Sequence, residues 1–272
     1  MPQSYLTFVY RGDTLNPTQT LVMDAMPNRY MENATATAWF GFLYVILPRL
    51  IKKQWPEFYK ELGQEKQDQL CSWATGFFHH LVVAPFGFYL IWRDYQLDEA
   101  TYKTMDYATS VEGLHMLQYC FGYILADTFF YTIGEMKRGK FEFAIHHVAS
   151  LALYYGMMGA SGAICRFCPF FYICELSGAI FNAAFFVRNA GGRDTFALKA
   201  LEIFFALAFF FTRVVSLPVA IHAMLSLESV QALGPVRYTL VLIALLQFYW
   251  FLMIIRSLQK KKSPTSDKAK GL

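Results

Sequence analysis

The sequence predicts an all-α protein: a polytopic transmembrane helical bundle of about seven spans, amino terminus lumenal and carboxyl terminus cytosolic. Three observations predict it. Of 272 residues 56% are hydrophobic and only 16% charged, where globular domains carry roughly 25% charged residues. The apolar residues gather in runs near the roughly 20 residues that cross a bilayer. All six histidines, with Asp127, Glu175, Glu202 and Arg213, lie in or at the ends of those runs. Membrane segments hold ionisable groups where they face protein, ligand or an ion path.

The seven runs are residues 34–51, 71–92, 111–134, 143–161, 168–187, 198–225 and 233–257. The first is short and carries Pro48, and the fourth and fifth are separated by little more than the small-residue turn Gly159 to Gly162. None alternates strictly, which argues against strands. The chain divides into a lumenal segment (1–33), a membrane domain (34–258) and a lysine-rich tail (259–272) whose composition reads as disordered. The first thirty residues lack a basic start followed by an apolar core, so no cleavable signal is expected and the first run serves as anchor.

Basic residues set the orientation. One set of loops holds Arg49, Lys52, Lys53, Lys60 and Lys66, then Lys137, Arg138 and Lys140, then Arg188, Arg193 and Lys199. Arg256, Lys260, Lys261, Lys262, Lys268 and Lys270 complete it. The opposite set holds Arg11, Arg29, Arg93, Lys103, Arg166 and Arg237. A split of 17 to 6 puts the first set in the cytosol. An even number of crossings would break the alternation. Lys268 and Lys270, three and five places from the end, match a dilysine retrieval signal and point to the endoplasmic reticulum. Asn33-Ala34-Thr35 is a glycosylation sequon placed against the first run, where use is not expected. Cys165 and Cys168 form a CxxC without a second pair, so a loop pair or local disulfide is expected rather than a zinc site.

Depth along the helices groups the polar residues. Taking the third and fourth runs as a hairpin turning near Arg138, Asp127 comes 11 residues before the turn and His147 nine after it. At about 1.5 Å per residue they share a depth. His79, His80 and Asn182 fall in the same cytosolic half. Glu175 and Arg213 lie deeper and are expected to pair, as a structural or a catalytic couple. Glu175, Gly178 and Asn182 form a stripe at helical spacing, as do Glu202, Ala206, Phe209, Arg213 and Ser216. His115 and His222 sit towards the lumenal ends and read as interfacial.

An imidazole beside a carboxylate suits proton abstraction, or attack on a thioester to give an acyl-imidazole. His146, His147 and Asp127 are therefore the candidate catalytic set. His79, His80, Asn182, Glu175 and Arg213 are the candidate lipid contacts, with lone Asn182 equally suited to a packing hydrogen bond. A di-iron centre of the membrane-desaturase kind needs about eight histidines in HxxxH and HxxHH spacings, and only bare pairs are present. No metal and no cofactor is expected, and lysines that orientation already explains give no nucleic-acid site.

Trp73 with His79-His80, Ala126-Asp127, Ile145-His146-His147, Glu175-Leu176-Ser177 with Asn182, Arg213 and Tyr249-Trp250-Phe251 occur in this order. In that order and spacing the chain resembles the TLC-domain family over roughly residues 34–258. That family includes ceramide synthases and non-synthase proteins of lipid homeostasis. The chain departs from the synthases in having no His or Asp between Val148 and Cys174 and no homeobox-like insert. The resemblance therefore implies a non-synthase-like protein of the endoplasmic reticulum membrane. It would bind lipid or acyl chain in a cytosol-facing cavity and act in membrane lipid homeostasis. The alternatives are a sphingolipid-type N-acyltransferase, with acyl-CoA and a long-chain base as substrates, and a cargo adaptor using its tail. The resemblance leaves oligomeric state open.

Overall fold

The computed structural model describes residues 28–96, 111–159, 167–192, 195–231 and 233–261, and every regular element among them is helical. Asn28–Gln54 (α1), Pro56–Glu61 (α2) and Gln64–Tyr95 (α3) open the chain. Val111–Asp127 (α4) passes through a π-helical turn, Thr128–Thr132, into Ile133–Lys137 (α5). Phe141–Gly159 (α6), Cys168–Ile173 (α7) and Glu175–Asn189 (α8) follow. Phe196–Phe209 (α9) runs through a second π turn, Phe210–Ser216, into Leu217–Leu225 (α10). Glu228–Gln231 (α11), a 3₁₀ turn Gly234–Arg237 and Tyr238–Lys261 (α12) close it.

Among the described residues, all seven predicted runs are thus helical. Five helical stretches are long and apolar enough to cross a membrane: Met31–Gln54, Gln64–Tyr95, Cys168–Asn189, Phe196–Leu225 and Gly234–Gln259. The stretches 111–137 and 141–159 fall outside that group. They carry much of the polar cargo, including Gln118, Asp127, Glu135, Glu142, His146 and His147. Pro48 does not end α1, which starts at Asn28, ahead of the expected boundary at residue 34. Bilayer-type helices tolerate an internal proline because neighbours can satisfy the freed carbonyl. The turn residues 160–162, Cys165, and Lys268 with Lys270 lie outside the described residues.

Local chemistry sets the ends. Pro56 starts α2, where its missing N–H costs nothing. Thr195 caps α9, its hydroxyl accepting from the Leu198 N–H at 3.2 Å. After α5 the chain turns on Gly139 at φ +82°, with the Lys140 N–H donating to Glu135 O and the Gly139 N–H to Met136 O. This is the left-handed helix end that glycine alone adopts without cost.

The helices pack in a closed cycle. α1 lies against α4, α4 against α6, α6 against α12, and α12 against the second π turn and α10. α9 then packs on α8, α8 on α3, and α3 on α1. The outer faces are apolar: Val148 is 66% exposed beside His147 at 6%, and Phe129, Phe204, Phe211, Val219 and Leu245 also point out. Polar groups are turned inward, the reverse of a water-soluble bundle. Backbones close up where Gly122 meets α1. A methyl added there would lie 2.5 Å from Ala36 Cβ and 2.8 Å from the Thr37 nitrogen.

One ionic knot joins the α5–α6 turn to α3, just beyond the apolar run that ends at residue 134. Glu135, with no exposed surface, accepts from Gln69 at 3.0 Å, pairs with Lys140 at 2.6 Å and is bonded by Arg138. Arg138 also reaches Asp68 at 3.3 Å. Burial alone would raise the Glu135 pKa, but the bonds from Lys140, Gln69 and Arg138 together hold it below its ordinary value of 4.5. A depressed carboxylate stabilises the fold above its unfolded pKa and loses that contribution as pH falls through the folded value. Thermal midpoints should therefore drop on acidification below about pH 4.5. Glu135→Gln should lower the midpoint at neutral pH and flatten that acid limb; identical limbs would contradict the assignment.

Candidate functional site

The interior holds two polar centres. Asp127, at the last turn of α4 and 3% exposed, is the hub of the first. Its Oδ1 accepts from the Tyr44 hydroxyl on α1 and from Ser72 on α3 at 2.9 Å. Its Oδ2 lies 3.2 Å from His147 Nε2 on α6. The other nitrogen of His147, Nδ1, meets the hydroxyls of Thr128 at 3.0 Å and Thr132 at 3.2 Å. Both threonines belong to the π turn, whose wider winding brings them to the same side. With Nε2 protonated towards the Asp127 carboxylate, Nδ1 accepts from a threonine hydroxyl, so both ring nitrogens are engaged. Four helices are pinned at this point.

The second centre lines a small cavity inside the cycle. Its wall includes Ile124, His146, Ser150, Tyr154, Glu175, Arg213 and Gln247. At ≈ 30 Å³ it has room for one or two waters as it stands. His146 is half-buried, its ring edge-on to Trp250 at 5.2 Å between centroids, and its buried Nδ1 has no hydrogen-bond partner. The two adjacent histidines therefore differ: both ring nitrogens of His147 are engaged, whereas His146 Nδ1 is not.

Arg213 sits in the second π turn and braces the cavity. Its Nε donates to Ser177 Oγ at 2.8 Å and to the Cys174 carbonyl at 3.1 Å, and its Nη1 donates to Gln247 Oε1 at 3.2 Å. Arg213 Nη2 is 3.9 Å from Glu175 Oε2, while His80 Nδ1 is only 2.6 Å from that oxygen. The expected Glu175–Arg213 pair exists, but His80 is the closer partner of Glu175.

His79, 2% exposed, stacks on Tyr123 at 3.8 Å. Bare backbone makes room for the first histidine pair. A Cβ at Gly178 would lie 2.6 Å from His80 Nε2, and one at Gly76 would lie 3.0 Å from Asn182 Nδ2 and 3.1 Å from the Tyr123 hydroxyl. Buried Asn182 thus belongs to the His80 side of the interior. His115 and His222 are apart from both centres: His115 is exposed and pairs with Glu32 at 3.2 Å, and His222 is exposed.

The structure therefore brings Asp127 to His147, His80 to Glu175, and His146 with Glu175 and Arg213 to one cavity. The sequence argument missed Tyr44, Ser72, Thr128, Thr132 and Gln247. Ser72 had a usable signal, since it stands seven residues before His79 on a helix and so near its face. Glu202, placed on a stripe with Arg213, instead bonds Arg188 at 2.9 Å.

Residues 69–256 match the TLC domain. They span most of the chain and all the residues just described except Glu32 and Tyr44. The chain belongs to the TLC-domain family. With its apolar helices, this makes it a multi-pass membrane protein whose role is connected with membrane lipid. No curated protein sequence matches it significantly.

Proposed function

We propose that the protein binds a lipid or acyl chain against the polar interior of the helix cycle and so acts in membrane lipid homeostasis. One observation carries this: His146, whose buried Nδ1 has no partner, lines a cavity together with Glu175, Arg213, Ser150 and Gln247. In a bilayer such a nitrogen is costly to leave unmet. A lipid headgroup hydroxyl donating to it, or an ester oxygen accepting from it in the other tautomer, supplies the missing bond. The Asp127–His147 hub holds α6 in register, and Arg213, Glu175, His80, His79 and Asn182 complete the polar wall. Because the cavity is small, admitting a chain requires neighbouring helices to part. In this reading the seven apolar runs cross the endoplasmic reticulum membrane, with the basic loops and tail cytosolic.

The same nitrogen favours a second reading, acyl transfer. His146 Nδ1 would attack an acyl-CoA thioester carbonyl, with the C–S bond breaking and CoA thiolate leaving. A long-chain base amine would then take the acyl group from the imidazole and lose its proton. Labelled acyl-CoA with long-chain bases, and mass spectrometry of co-purified lipid, test both on purified protein. Lipid retained by the wild type and lost in a folded His146→Ala variant, without turnover, supports binding. Turnover with acylated His146 supports transfer. Equal lipid content in both proteins and no turnover would sink both readings and leave the tail-dependent adaptor.

A further inference from the structure

We propose that His79, His80 and Glu175 form a site for one borderline divalent transition-metal ion, of the Zn²⁺ or Fe²⁺ class. One ligand atom from each residue, two ring nitrogens and a carboxylate oxygen, lies within 4.8 Å of the others. Ligands sharing a zinc ion at about 2.0–2.2 Å stand roughly 3.4 Å apart, so side-chain rotation of about an ångström closes the set. Two imidazoles and one carboxylate are the donor class that zinc and non-haem iron select, with a position left open for an outside oxygen.

Three features favour an ion over a plain hydrogen-bonded pair. His79 is 2% exposed, yet its Nδ1 has no partner, an expense that a ligand to that ring would remove. The histidines come from α3 and the carboxylate from the start of α8, so the set is held by two packed helices rather than by a loop. Arg213, the cation that would oppose a metal, is committed elsewhere. Its shorter bonds go to Ser177, Cys174 and Gln247, and it stays 3.9 Å from Glu175.

The surroundings also fit. Gly178 makes room for the His80 ring, since any Cβ there would meet it at 2.6 Å. Asn182 and the Tyr123 hydroxyl flank Gly76 beside His80 Nε2 and are placed to orient the ring from outside the donor set. The bare doublet lacked a third ligand in sequence, and Glu175 supplies it from 95 residues further on.

The test uses full-length, tag-free protein in detergent. Elemental mass spectrometry should find about one zinc or iron per chain, and after chelation Co²⁺ should restore a visible d–d band that Zn²⁺ displaces. His79→Gln and Glu175→Gln should each weaken Co²⁺ binding more than about 100-fold, beyond the loss typical of outer-shell changes. His222→Ala, exposed on α10, should bind as the wild type does. Should Glu175→Gln fail to fold, His79→Gln, which breaks no ion pair, decides. Folded wild type that takes up no ion, or His79→Gln that binds Co²⁺ as tightly as wild type, overturns the proposal. Occupancy is read without lipid, so this inference stands or falls apart from the lipid reading.

Discussion

Asp127→Ala should destabilise the protein by about 3 kcal/mol. The carboxylate receives the Tyr44 hydroxyl, Ser72 Oγ and His147 Nε2. Truncation leaves two buried groups, on Tyr44 and His147, and the half-buried Ser72 hydroxyl without that partner, each worth about 1 kcal/mol. Hydrogen bonds between membrane helices average somewhat less than those in water-soluble cores, so the sum is not expected to exceed this. For a chain of this size the loss corresponds to a fall of roughly 6–12 °C in thermal midpoint. Tyr44→Phe removes a single donor and should cost about 1 kcal/mol. In a double-mutant cycle Tyr44→Phe should cost almost nothing once Asp127 is gone, because the two changes delete one interaction. Additive losses, or an Asp127→Ala midpoint within about 2 °C of wild type, would show that the hub is not what pins α1, α3, α4 and α6.

Arg213→Met should be comparably damaging, at about 3 kcal/mol or more. The guanidinium spans from Ser177 and the Cys174 carbonyl to Gln247 on α12, and it stands near the Glu175 carboxylate. Methionine fills similar volume but strands these acceptors and leaves Glu175 with His80 as its remaining partner. Removing one member of a buried ion pair costs about 3–5 kcal/mol, chiefly through the uncompensated charge. Combining Arg213→Met with Glu175→Gln should therefore recover stability relative to the single variant. Arg213→Lys should rescue little, because one ammonium cannot reach both helices in the geometry of a planar fork. Chemical denaturation in detergent or bicelles measures all four proteins. A double variant less stable than Arg213→Met alone would contradict the charge argument.

The helical class and the inward polar groups were legible because they follow from composition and from the roughly constant rise of a helix. Counting from the Arg138 turn placed Asp127 and His147 at one depth, and their atoms meet at 3.2 Å. Which histidine of the doublet stays open was not legible. That depends on Thr128 and Thr132, which reach Nδ1 of His147 because a π turn winds between them. A 3.6-residue pattern does not encode such a turn. The second π turn explains the other shift: it directs Arg213 towards Ser177 and Gln247, leaving Glu175 closest to His80. Tyr44 was hidden for a different reason, being one aromatic among many in an apolar run.

The cycle is riveted unevenly. The α3–α8 side carries His80–Glu175, Lys66 to Asn189 at 2.7 Å, and Trp73 stacked on Phe185 at 3.9 Å. Across α6 and α12, beside the cavity, Phe143 and His146 meet Trp250 ring to ring. Acyl tails are as apolar as these rings, so exchanging one for the other in a bilayer costs far less than parting an ion pair. The barrel of helices is thus built with a hinge line and a seam. On the lipid-binding proposal, a hydrocarbon chain already dissolved in the bilayer enters sideways through that seam without ever crossing water.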